Sequence, residues 1–233
     1  MSRLKKAFDK LFTFIPGYVF GILAFLFGFF GNIISLILTP EYEMWQLSIS
    51  MLTLAPTGIF LRIGLIISNI CAVLFIIYLG RSLLKENINE NIRKVAIGTG
   101  ILSSISALLT GAITGINPII SNLHGLFALF SWIGGGTTCL LFGILMLKST
   151  NFSKAITFSG FIVAGIFIAY LVPFFICNFC SYFPEICYSF GQKIYIVVPS
   201  WEWAVIFSIL YWYLSNSIYI LYKKFNKSNN LMY

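Results

Sequence analysis

Three side chains able to bind or move charge each sit at the start of a long apolar run: Arg62, His124 and Glu202. Glu41 and Glu43 lie a short way before the first of these, and Asn117 lies shortly before the second. A guanidinium and a protonated imidazole beside helix N-termini can hold a phosphate or carboxylate. An imidazole with a carboxylate partner can instead act as a general base, here His124 oriented by Glu202 or Glu43. Each residue also has a simpler use. Arg62 can snorkel to lipid phosphates or pair with Glu43 or Glu202. Glu202 follows Pro199-Ser200 and fits an acidic first helical turn. His124, after Asn122, fits an interfacial histidine bonded to backbone. Spacing alone leaves open whether the three converge.

Other chemistries fail by counting. One histidine excludes a bis-histidine haem or a multi-histidine zinc site. No lysine falls in the middle of an apolar run, so a retinal-type Schiff base is excluded, and no Gly-rich phosphate loop follows a strand. No cofactor and no metal is expected. Cys71 and Cys139 fall within apolar runs and read as small apolar residues. Cys177, Cys180 and Cys187 cluster near a loop, where a bridge from Cys187 to Cys180 or Cys177 would act as a staple.

The elements that must position these residues follow from composition. Of 233 residues, 59% are hydrophobic and only 9% charged, with a mean hydropathy of +0.93. A typical soluble domain carries about 25% charged residues, so a soluble enzyme and a nucleic-acid-binding protein are both excluded. The net charge of +8 comes from short basic runs between apolar stretches. A membrane-crossing helix needs about 20 apolar residues. Six such spans are predicted, at about 17–38, 59–80, 95–116, 123–147, 155–176 and 201–222. The third and fourth share a stretch of 53 residues without Asp, Glu, Lys or Arg, divided by the turn signal Asn117-Pro118. The expected fold class is all-α: a polytopic six-transmembrane-helix bundle.

Basic residues orient it. Arg3, Lys5, Lys6, Lys10, Arg81, Lys85, Arg93, Lys94, Lys148, Lys154, Lys223, Lys224 and Lys227 fall on one side of the six spans; of the 15 basic residues only Arg62 and Lys193 fall on the other. The positive-inside rule then makes both termini cytoplasmic. Arg62, His124 and Glu202 open spans that run inward, so all three belong to the outer rim. The sequons at Asn151 and Asn226 fall on the cytoplasmic side, where glycosylation is not expected. Residues 1–16 place Leu4, Phe8, Leu11, Phe12 and Ile15 at helical spacing among lysines, which reads as an amphipathic interfacial helix ended by Pro16-Gly17, not a cleaved signal peptide. Residues 223–233 read as a basic cytoplasmic tail.

Helices in lipid associate through small residues. Gly21, Ala24, Gly28, Gly31 and Ser35 line one face of the first span; Ser103, Ala107, Thr110 and Thr114 line the third; Ser131, Gly135 and Thr138 continue the stripe that His124 begins. These faces should meet other helices of the chain, although Gly17 and Gly21 would also suit a homodimer. Asn69, near the middle of the second span, suits a hydrogen bond between helices or a polar path. Tyr and Trp near span ends form the usual aromatic belt.

The run Gly115-Ile116-Asn117-Pro118 followed by His124 resembles the turn and histidine between the third and fourth helices of the domain-of-unknown-function 998 membrane family. The segment Ser48–Gly58 leading into the second helix, and Glu202 opening the last, resemble that family too. The likeness spans about residues 17–222. It implies a layout similar to Frag1/DRAM/Sfk1-type six-helix proteins, which are linked to lipid organisation. The leading expectation is therefore a protein that binds or organises a lipid or small anionic ligand at the outer ends of the second, fourth and sixth spans, through Arg62, His124, Glu202, Glu43 and Asn117. A membrane-embedded lipid-modifying enzyme using His124 with Glu202 or Glu43 is the alternative, and a small-solute transporter the second. Membrane lipids are the expected partners; no protein partner is indicated.

Overall fold

Each apolar run becomes one helix in the computed structural model, which describes residues 3–84 and 88–229. Helix α1 is Arg3–Phe14, α2 Gly17–Ile37, α3 Ile49–Leu54, α4 Gly58–Ser82, α5 Glu90–Ala112, α6 Pro118–Leu147, α7 Lys154–Tyr182, α8 Pro184–Tyr195 and α9 Val198–Asn229. No strand occurs among the described residues. Helices α2, α4, α5, α6, α7 and α9 are long and apolar enough to cross a membrane, which makes this a multi-pass membrane protein. Lys85 of the basic loop, the side chains of Leu4 and Lys227, and tail residues 230–233 lie outside the described residues.

The six long helices form a closed ring. Each packs on its neighbours in sequence, and α9 returns against α2. The small-residue stripes make the close approaches. Gly31 of α2 meets Gly64 of α4, and Gly160 of α7 abuts the Cys139 carbonyl of α6. Ser68 Oγ donates to the Ala24 carbonyl at 2.7 Å, and Ser103 Oγ to the Ser131 carbonyl at 2.8 Å. Asn69 does not bridge helices: its amide donates to Leu65 of its own turn. Gly17 and Gly21 are covered by Tyr78 and Ser217 of the same chain. Inside the ring, Phe75, Phe142 and Trp212 are fully buried and pack edge-on or tilted, with centroids 6.0 to 6.4 Å apart.

The start of α2 and the last turns of α9 meet at one end of the ring, where Lys224 sits over the Tyr18 ring. There α1 packs Leu11 and Phe12 onto the core, and Asp9 pairs with Arg81. Arg93, 7% exposed, is held by Glu90 and by the Gly80 carbonyl at 2.9 Å. With Asn89 accepting from Asn91 and Ile92, this carries α5 back to Glu90, five residues earlier than the apolar run suggests.

The opposite, distal end departs most from expectation. Segment 38–58 contains α3, and the expected loop 177–200 is mostly helical: α7 continues past Pro173 to Tyr182, and α8 follows. Helix α8 breaks at Cys187 (φ −148°, ψ 23°), which is bridged to Cys180 with Cα atoms 5.1 Å apart. Hydropathy registers apolar length, so short helices folded over the end of a bundle leave no signal in it.

Candidate functional site

The site begins with the α5–α6 hairpin. Asn117 caps α6 by accepting from the Ile119 N–H at 2.9 Å, and Pro118 takes the first helical position. The tight return brings His124 beside the last turn of α5, whose terminal carbonyls lack helical partners. His124 Nδ1 lies 3.0 Å from the Thr110 carbonyl and 2.9 Å from that of Ile113. Two acceptors there require a proton on Nδ1. In the neutral ring Nε2 then offers a lone pair, and Ser50 Oγ stands 3.1 Å from it.

Ser50 is delivered by α3. Ile49 and Leu52 of α3 are buried with Leu61 and Trp203 in a small second core. Glu202, 4% exposed, accepts the Ile49 N–H at 3.0 Å and so fixes the start of α3 against α9. Trp203 packs edge-on against Tyr42 and donates to its hydroxyl at 3.3 Å, while that hydroxyl donates to the Leu47 carbonyl at 2.7 Å. Burial pushes the Tyr42 hydroxyl well above the usual phenol range, against the opposing pull of the Trp203 bond, so it stays a donor.

Ser50, His124 and Glu202 share the wall of a distal cavity of about 300 Å³. Trp132, Tyr170 and Phe174 form its apolar side, with ring centroids 4.6 to 5.7 Å apart. Cys177, Tyr195 and Pro199 also line it; no Lys or Arg does among the described residues. Next to it, a smaller space of about 60 Å³ shares Ser50, His124, Ala128, Trp132 and Glu202 with the cavity. A chamber of about 70 Å³ follows, walled by all six long helices. Among the described residues Asn32 Oδ1 is buried there without a partner, while its amide donates to the Gly28 carbonyl.

The residues singled out in the sequence therefore separate. His124 and Glu202 meet at one cavity, but Glu202 bonds α3 and not His124. Arg62 lines none of the three spaces; its Nε is buried without a partner, and it forms no ion pair among the described residues. Glu43 accepts from Gln46 in the distal loop, Glu41 is exposed, and Asn117 is a helix cap; none of them lines the cavity. Cys180 and Cys187 form the bridge, leaving Cys177 as a free thiol beside Cys71 and Cys139. Ser50, Trp132 and Tyr170 escaped the sequence reading. Trp132 carried a signal, since it lies well inside the predicted span 123–147, against the belt pattern; Tyr170, near the end of its span, did not. Ser50 carried none.

Comparison with known proteins returns nothing: no family model, curated protein or solved structure matches the chain. What defines the protein is its class, a six-span helical ring with short helices over a cavity lined by both polar and aromatic side chains.

Proposed function

We propose that the protein binds a lipid or lipid-like amphiphile in the distal cavity, its polar group at Ser50, His124 and Glu202 and its apolar part along Trp132, Tyr170 and Phe174. The observation that carries this reading is the cavity's mixed lining: the hydrogen-bonding side chains Ser50, His124 and Glu202 share one wall with the aromatic cluster Trp132, Tyr170 and Phe174. Ligand sites characteristically combine apolar walls with a few convergent polar groups. One carboxylate and no guanidinium or ammonium in the lining favour a neutral or zwitterionic head group over an anion, a change from the expectation built on Arg62. The basic residues gathered at the terminal end support an outward-facing distal end in a cell membrane with both termini cytoplasmic. The resemblance of about residues 17–222 to the domain-of-unknown-function 998 family belongs to the same proposal.

The test is lipid retention. Protein released from nanodiscs into a mass spectrometer should keep a neutral or zwitterionic lipid in the wild type and in Arg62→Met, and lose most of it in a Trp132→Ala/Phe174→Ala double variant. Equal retention in all three would overturn the reading.

A further inference from the structure

We propose that Ser50 is an acyl-accepting nucleophile activated by His124, and that the bound amphiphile is an ester. This rests on the reading that the distal cavity takes such an amphiphile. The nucleophile and base stand at hydrogen-bond distance, 3.1 Å, and the base is held by a third group. That third group is the end of α5: the Thr110 and Ile113 carbonyls lock the His124 tautomer that leaves Nε2 free to take the Ser50 proton. The same carbonyls form the negative end of the α5 dipole, which favours the imidazolium created when that proton arrives. No other side chain competes for Ser50 Oγ among the described residues, and both residues open onto the 300 Å³ cavity. Its aromatic wall suits an acyl chain.

The reaction balances with water as the one co-reactant. Ser50 Oγ forms a bond to the ester carbonyl carbon while its proton passes to His124 Nε2. The ester C–O bond then breaks, and His124 returns the proton to the departing alcohol, leaving acyl-Ser50. A water oxygen next attacks the acyl carbon and gives its proton to Nε2. The Ser50 ester breaks, Oγ regains the proton, and a carboxylic acid leaves.

An alkyl fluorophosphonate tests this without knowledge of the natural ester. Nanodisc-embedded protein should gain one phosphonyl adduct, mapped to Ser50, and Ser50→Ala should gain none at that peptide while keeping its melting temperature. His124→Asn retains an amide that can donate to the α5 carbonyls but has no base; its labelling should slow by about 100-fold or more. A folded wild type without an adduct on Ser50, or equal rates in wild type and His124→Asn, would overturn the proposal. Lipid retention, measured on the same samples, separates the two readings. Lipid without adduct overturns only the acylation; an adduct on Ser50 with no lipid kept even by Ser50→Ala, which cannot turn it over, supports the nucleophile and overturns the binding mode.

Discussion

Ser50 Oγ and His124 Nε2 stand 3.1 Å apart although 74 positions separate them in the chain. Two independent devices produce the approach. The α5–α6 turn returns His124 to the end of α5, and a small core of Ile49, Leu52, Leu61 and Trp203 seats α3 over the ring. Neither device involves a charged pair, which suits a place where an uncompensated charge is costly.

The seating of α3 depends on Glu202. In Glu202→Ala the buried Ile49 N–H loses its acceptor, at a cost of about 1–3 kcal/mol. Glu202→Gln keeps a carbonyl oxygen at that position. Thermal unfolding in detergent should therefore rank wild type and Gln above Ala, with faster hydrogen exchange over 49–54 in the Ala variant. Matching Ala and Gln curves would remove Glu202 from this role.

Close helix contact in the ring depends on specific glycines. A Cβ at Gly64 would lie 2.6 Å from the Phe27 carbonyl oxygen and 2.8 Å from Gly31 Cα, both backbone atoms that cannot swing aside. Gly64→Ala should destabilise by about 1–3 kcal/mol, the usual range for overpacking. Around Gly98 and Gly165 nothing lies within 4 Å of the added atom. Ala at either position should be neutral or stabilise by up to about 1 kcal/mol through helix propensity. Melting temperatures of the three variants check this, and a Gly64→Ala protein as stable as Gly98→Ala would refute the packing argument.

Thiol counting reads both the bridge and the burial. In the folded protein a maleimide should reach Cys177 at most, because Cys71 and Cys139 are buried. After denaturation without reductant three thiols should label, and with reductant all five. Five labels without reductant would show that Cys180 and Cys187 are not joined, and would also argue against an oxidising distal compartment.

The residues themselves determined much of this protein. Hydropathy and the spacing of charges specify six long helices, because a backbone in lipid must satisfy its own hydrogen bonds and a helix of about 20 residues does so. The stripes from Gly21 to Ser35 and from Ser103 to Thr114 mark contact faces, since small side chains are what let backbones approach. His124 and Glu202 stand out in the sequence as polar residues at the start of apolar runs, where structural and functional uses are both open. Only tertiary structure decided which of them meet. It excluded Arg62 from the cavity, divided Glu202 from His124, and brought in Ser50, a residue ordinary in type and set in the short helix α3. Such convergence depends on the ring closing α9 onto α2 and on short helices folding over its end. Those are long-range packing choices among nearly equivalent apolar faces, and no local periodicity records them.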